Sequence, residues 1–404
     1  MRTFDQIFST AVWRDIVREY GTPVVIVDAE IIRERCRALK SSFPGASFFY
    51  APKANYNPSI VSLIVAEGFG IDAVSPMEIE LALSIGVLPG DIVYVENNMS
   101  QADLDFAIEA DVIMVLGSLG AFDRYAVARS GSSVGIRVNG EIGASEHLYT
   151  YTSGPRSKFG IHPTQFDEAK AIAERGGLKI TRLQQHIGSN WRDAEPFLAA
   201  ARSLCELAAD FLDLEALDFG GGFGVPYHDG DTPLDTAALG AALAGLVSNY
   251  RRRDGRPFEF AFEPGRFLVA ESSALVARVN DRKTAGSGRV FIGTDTGFNH
   301  LIRPALYGSQ HRILNLSSPD AETETVDVCG NLCEETDYLA RDRLLPRAET
   351  GDYLAVMDVG AYGLAMASAY NLRAIPPEIL LDGNQRTLIR RRSEFADLMS
   401  PFNP

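Results

Sequence analysis

The sequence predicts an α/β protein built from a (β/α)8 barrel and a β-rich sandwich or barrel domain. Three observations lead there. Short apolar runs alternate with helix-length segments from about residue 22 to residue 271. The number of these units favours a closed eight-stranded parallel barrel over an open sheet. After about residue 270, strand-like runs follow one another with few helical patterns between them, the texture of a β-rich domain. The expected boundaries are a barrel over 22–270, with 1–21 and 271–404 forming the β-rich domain that completes the active site.

In order, 24–27 is a short apolar strand and 31–43 a helix. Residues 47–50 are a strand and 58–67 a helix; 71–74 a strand and 76–85 a helix. Apolar runs at 92–95, 112–115, 135–138, 182–186, 216–219 and 259–262 continue the strand series. The later strands are expected at 274–279, 289–294, 312–315, 323–328 and 353–357. Neither an internal repeat nor a low-complexity linker interrupts the chain.

The 404 residues suit a large barrel plus a smaller domain, and 46% hydrophobic with 23% charged residues is ordinary for a soluble globular protein. A net charge of −15 argues against a nucleic-acid partner, which selects basic surfaces. The short basic runs Arg251-Arg252-Arg253 and Arg390-Arg391-Arg392 read as solvated faces. Met1-Arg2-Thr3-Phe4-Asp5 lacks the apolar core of a signal peptide, and no apolar stretch of about 20 residues suggests a membrane span. Cys36, Cys205, Cys329 and Cys333 make no disulfide framework in so long a chain, which fits a reducing cytoplasm. Cys329 and Cys333 lack the second pair that a metal site needs, so no metal is expected.

Four motifs end four different expected strands. Phe48-Phe49-Tyr50-Ala51-Pro52-Lys53 places a lysine at the mouth of an apolar strand. Desolvation there favours a neutral amine that condenses with an aldehyde. His186-Ile187-Gly188-Ser189 puts a flat ring at a strand end, where a satisfied core histidine is the competing reading. Asp218-Phe219-Gly220-Gly221-Gly222-Phe223-Gly224 is a turn whose bare backbone can cradle a phosphate; it lacks the Gly-Lys-Ser/Thr ending of a P-loop, and a tight barrel turn is the alternative. Glu263-Pro264-Gly265-Arg266 holds an acid and a base in fixed geometry, or forms a structural ion pair. Barrel strands deliver such groups to one face from their C-terminal ends. A reactive lysine, a phosphate cradle, a stacking ring and a carboxylate for a pyridine nitrogen are what pyridoxal 5'-phosphate needs.

With these motifs in this order, the chain resembles the fold-type III pyridoxal-phosphate decarboxylases, whose barrel is alanine racemase-like, from about residue 23 to residue 399. Tyr50-Ala51-Pro52-Lys53-Ala54-Asn55 is similar to the family's cofactor-lysine segment, and Ser157-Lys158-Phe159-Gly160 to another signature. The resemblance implies cofactor contacts from Lys53, His186, Ser189, Gly221, Gly222, Glu263, Gly265, Arg266 and Tyr362, the last within Gly360-Ala361-Tyr362-Gly363. Leu301-Ile302-Arg303-Pro304-Ala305-Leu306-Tyr307 is similar to the segment that grips a distal carboxylate. Substrate contacts are thus implied for Arg266, Arg303, Tyr307, Glu334 and Tyr362. Cys329-Gly330-Asn331-Leu332-Cys333-Glu334 resembles a loop that enters the partner subunit's site. A homodimer with shared sites is therefore implied, with Lys53 and Cys333 as the catalytic residues. The chain departs from the family at Glu335, usually a small residue, and at Asn331, usually proline. The implied reaction is decarboxylation of an amino acid with a polar distal end, with meso-diaminopimelate to L-lysine the best match to paired cationic and anionic grips. The alternatives are carboxynorspermidine, a basic D-amino acid, a siderophore or antibiotic intermediate, or a non-catalytic pyridoxal-phosphate-binding regulator.

Overall fold

A computed structural model of the protein describes residues 3–8, 10–144, 152–228 and 230–402. Met1 and Arg2 of the amino-terminal segment, and 403–404 of the expected β-rich domain, lie outside the described residues. The strands are β1 (Val24–Asp28), β2 (Ser47–Tyr50), β3 (Gly70–Ala73), β4 (Ile92–Val95), β5 (Ile113–Leu116), β6 (Ser133–Arg137), β7 (Lys179–Gln184), β8 (Ala216–Asp218) and β9 (Glu259–Phe262). They continue as β10 (Ser273–Thr284), β11 (Val290–Thr294), β12 (Ile313–Asn315), β13 (Thr323–Cys329), β14 (Tyr338–Pro346), β15 (Tyr353–Met357), β16 (Glu378–Asp382) and β17 (Gln385–Arg390). The chain forms two compact units, one of Cys36–Val225 with Pro233–Phe267, the other of Met1–Arg35, Pro226–Thr232 and Leu268–Pro404.

In the first unit, β2 through β9 close into a parallel barrel. Closure is made by β2, which pairs β3 through Tyr50 and Ile71 and β9 through Phe48 and Phe262. Crossover helices need defined starts. Asn57 accepts the Ser59 amide at 3.1 Å ahead of the helix Pro58–Ala66, and Ser75 accepts the Glu78 amide ahead of Pro76–Ser84. Beneath the glycine-rich turn lies an aromatic cluster. Phe262 has ring centroids of Phe43 at 4.5 Å, Phe48 at 5.5 Å and Phe219 at 5.7 Å. Each such ring buried contributes roughly 2–3 kcal/mol, which anchors the ends of β8 and β9 against the helical layer.

β1 is not a barrel strand. It pairs antiparallel with β10 and parallel with β16 in the second unit. The expected start of the barrel at residue 22 is thus moved beyond this strand. All five β1 residues are buried, and a strand covered on both faces has the same apolar signature in a barrel or in the middle of a mixed sheet.

The second unit is a mixed sheet in the order β14-β13-β11-β10-β1-β16-β17, with β15 joining β10 and β12. Its core gathers Trp13, Ile16, Ile26, Val276, Met357 and Ile379. Three of its strands are absent from the sequence reading. β14 carries Arg341-Asp342-Arg343 through its middle, β17 is mostly exposed and shows no apolar period, and β16 is short, turning into β17 at Gly383 with φ +58°.

One buried acid makes this unit pH-sensitive. Asp358 is 3% exposed and has an Arg312 contact at 3.4 Å. Burial pushes its carboxyl up to about 7, with Arg312 pulling it down and Glu271 adding to the rise. An unfolded aspartate titrates near about 3.9. The folded group therefore binds its proton more tightly. Its contribution to stability is complete below about pH 4 and is lost as pH rises through about 7. Asp358→Asn, which suits the local φ of 61°, is expected to melt higher than the parent at pH 8 and to match it near pH 4. Melting curves at the two pH values check this.

Candidate active site

Lys53 follows β2, and its segment is fastened to the one after β9. The Ala51 amide donates to the Pro264 carbonyl at 3.2 Å, and the Tyr50 hydroxyl donates to the Asn55 carbonyl at 2.9 Å. A Cβ on Gly265 would lie 3.1 Å from Ala54 Cβ and 3.3 Å from Ala51 Cβ, so this glycine permits the close approach. Lys53 Nζ meets Asp72 Oδ2 of β3 at 2.6 Å; Asp72 is 1% exposed. Desolvation is therefore not the only influence on this amine. A buried carboxylate holds it through a charge-assisted hydrogen bond.

Glu263 directly follows β9, the barrel neighbour of β2, and is buried. Its Oε2 accepts the Gln184 amide at 2.7 Å, while Oε1 is buried without a hydrogen-bond partner among the described residues. Burial, followed by the charges of Asp218 and Asp72, holds the Glu263 carboxyl well above the usual range; Lys53 and Gln184 oppose the rise. The structure thus prepares an acceptor for one more donor, and a cationic donor would reverse the shift.

The glycine turn follows β8 and sits between the segments after β7 and β9. Added Cβ atoms on Gly221 and Gly222 would collide with the Glu263 and Gly188 carbonyls, and Gly222 has φ +91°. Side chains are therefore barred at both positions. Gly221 donates its amide to His186 Nδ1 at 3.1 Å, which leaves the ring's proton on Nε2. Burial, then the charges of Arg137 and Lys53, holds His186 well below the usual imidazole range, so it is a neutral flat ring at physiological pH. Arg266 Nη2 donates to Ser189 Oγ at 3.0 Å. The barrel thereby brings Lys53, His186, Ser189, Gly221, Gly222, Glu263, Gly265 and Arg266 to its C-terminal face.

Four further residues belong to this face or the core below it and were missed from sequence. They are Asp72, Gln184, the buried Arg137 stacked 4.5 Å from the Phe159 ring centre, and Asp218. Asp218 accepts from Arg182 at 3.1 Å and from the Gly220 amide at 3.0 Å, shaping the glycine turn from below. Their one signal is a polar or charged side chain at or near the C-terminal end of a barrel strand.

The other expected residues lie in the second unit. Arg303 is 2% exposed at the start of the helix Arg303–Tyr307. Its Nη1 is 2.8 Å from His311 Nε2, and its guanidinium lies 4.3 Å from the Tyr227 ring centre. His311 Nδ1 donates to the Met357 carbonyl at 2.8 Å, so Nε2 is the lone pair that receives Arg303. These contacts fix the orientation of the guanidinium. Tyr307, half-buried, stands one turn on from Arg303 and shares its helix face. Tyr362 takes φ 57°, a conformation rare for an aromatic residue, beside Gly360, where a Cβ would collide with the Val269 carbonyl. Cys333 and Glu334 are exposed on the loop between β13 and β14, as is Glu335.

Residues 29–270 match the family model described as pyridoxal-dependent decarboxylase, pyridoxal binding domain. The chain is similar to a diaminopimelate decarboxylase of Methanothermobacter thermautotrophicus, 40% identical over 96% of this chain and 93% of the relative. A diaminopimelate decarboxylase of Escherichia coli is 36% identical over 95% and 94% of the two chains. Among solved structures, diaminopimelate decarboxylase of Helicobacter pylori complexed with L-lysine superposes with a TM-score of 0.90 at 29% identity, covering 97% of this chain and 99% of that one.

Proposed function

The chain belongs to the pyridoxal-dependent decarboxylase family, and we propose on that footing that it converts meso-diaminopimelate to L-lysine and carbon dioxide with pyridoxal phosphate. One observation carries the reading. Lys53 and Glu263 emerge from neighbouring barrel strands, the first in reach of a buried acid and the second with an unmet buried oxygen. The residues present fit the cofactor. Glu263 Oε1 suits its ring nitrogen, the side-chain-free turn at Gly221 and Gly222 suits its phosphate, and neutral His186 suits its ring face. Ser189, Gly265, Arg266 and Tyr362 complete the proposed cofactor contacts.

When bound, the cofactor supplies an aldehyde for an amine and a ring that takes up the electron pair left as carbon dioxide departs. Lys53 would be the amine that holds it, with Asp72 fixing the position of its Nζ. Glu263 keeps a proton at the ring nitrogen, which makes the ring electron-poor. Cys333, with Lys53 as the alternative, returns a proton to the reacting carbon. Arg303, Tyr307 and Arg266 hold the distal carboxylate, Glu334 the distal ammonium, and Tyr362 contacts both ligands.

The exposure of Cys333 and Glu334 supports a homodimer in which this loop serves the partner subunit's barrel. Mixing Lys53→Ala with Cys333→Ala subunits is then expected to recover part of the activity, and no recovery after demonstrated exchange contradicts sharing. No helix among the described residues is long and apolar enough to cross a membrane. The four free thiols support a reducing cytoplasm as the compartment.

Glu335, exposed beside Glu334, is the observation that favours a same-fold decarboxylase acting on carboxynorspermidine, a basic D-amino acid, or a siderophore or antibiotic intermediate. A panel of meso-diaminopimelate, L-lysine, L-ornithine and carboxynorspermidine, read as carbon dioxide and product amine, separates the two. The proposal expects meso-diaminopimelate to be turned over best with L-lysine as product; preference for any other member overturns it. Arg303→Ala is expected to raise KM for meso-diaminopimelate by about 10²-fold while leaving cofactor absorbance intact.

A further inference from the structure

Asp337 has no part in the chemistry above, yet both its side chain and its backbone tie down the loop between β13 and β14. It is 4% exposed. Its Oδ1 accepts the Phe298 amide at 2.7 Å and its Oδ2 accepts the Leu332 amide at 2.8 Å. Its own carbonyl accepts the Gly330 amide at 2.9 Å, and its amide donates to the Glu334 carbonyl at 3.2 Å. The carboxylate needs bare backbone on both sides, because a Cβ on Gly297 or on Gly330 would strike it. One side chain thus closes the base of the loop and joins it to the segment after β11.

A second set of ties acts nearer the tip. The Cys333 amide donates to Asn371 Oδ1 at 2.8 Å, and Arg373 Nη2 donates to the Asn331 carbonyl at 2.8 Å. Phe298, whose amide Asp337 holds, stacks on Tyr370 with centroids 5.7 Å apart. Above this fastened base, Cys333, Glu334, Glu335 and Thr336 are exposed. An exposed loop left to itself samples many conformations, and ordering it costs entropy at each residue. Here the Asp337 carboxylate offsets part of that cost through two partly buried, charge-assisted contacts to backbone amides. A loop whose only role was to join two strands would not need them.

We propose that Asp337 is a positioning residue that fixes the loop in one conformation so that Cys333 and Glu334 are presented ready for reaction. The proposal rests on the catalytic reading of Cys333. It predicts that the buried acid acts on rate through loop order, not through cofactor binding.

The test uses the cofactor-loaded enzyme and compares Asp337→Asn with the parent by hydrogen exchange, cofactor absorbance, kcat and KM. The amide variant keeps the shape but turns a donor toward one of the two N–H groups. Exchange at Leu332 and Cys333 is expected to speed by about tenfold or more with the absorbance unchanged. The kcat is expected to fall by about 10²-fold, as for a misplaced reacting group. Asn371→Gly, which keeps the left-handed backbone of φ 54° and deletes the Cys333 acceptor, is expected to give the same pattern more weakly, and stands in should the first variant fail to fold. Faster exchange with parental kcat, or unchanged exchange, overturns the proposal. Cys333→Ala is run alongside. An impaired Cys333→Ala with a parental Asp337→Asn removes the positioning role alone; a parental Cys333→Ala removes the loop's catalytic reading and the proposal with it.

Discussion

Lys53→Ala is expected to lower turnover by at least about 10⁴-fold and to erase the visible absorbance of the bound cofactor. The size follows from what is lost. The aldehyde loses its covalent anchor, the substrate loses the exchange through which its own amine is engaged, and Asp72 is left as a buried carboxylate without the contact that Lys53 Nζ makes at 2.6 Å. Asp72 is 1% exposed, so water cannot replace that contact cheaply. Absorbance and carbon dioxide release read the two consequences separately. A colourless variant that still released carbon dioxide would refute the role of this amine.

Glu263→Gln is expected to lower kcat by about 10²–10³-fold, or about 3–4 kcal/mol of transition-state stabilisation, with the fold retained. An amide oxygen can still accept from Gln184 as Oε2 does at 2.7 Å. The introduced amide nitrogen then occupies the place of Oε1 and presents a donor toward another donor. It cannot become an anion, so it cannot hold a proton at the ring nitrogen. The variant's cofactor band should respond differently to pH, because the group that burial, Asp218 and Asp72 hold above its usual range has been removed. A parental kcat with a parental pH response would show that Glu263 is not the nitrogen's partner.

The legible part of this protein was set by glycines, proline and strand ends. Gly221 and Gly222 could be read because no side chain fits where they stand, and Glu263-Pro264-Gly265-Arg266 because its backbone demands are local. The barrel was legible from its alternation, although β1 shows how a doubly covered strand can belong to either unit. Asp72, Gln184 and Arg137 were not legible, since each is a polar residue of a barrel strand with no local motif to mark it. Its meaning depends on barrel register, which decides that Asp72 faces Lys53 and that Gln184 faces Glu263. Asp337 was hidden for the same reason. Its partners Phe298 and Leu332 come from separate parts of the chain, and only the sheet brings them together.

The most direct measurement is borohydride reduction of the cofactor-loaded enzyme, followed by digestion and mass mapping of the reduced adduct. The account predicts one modified peptide per chain, carrying pyridoxyl phosphate on Lys53. Modification of a different lysine, or none in a protein that still releases carbon dioxide, would contradict it.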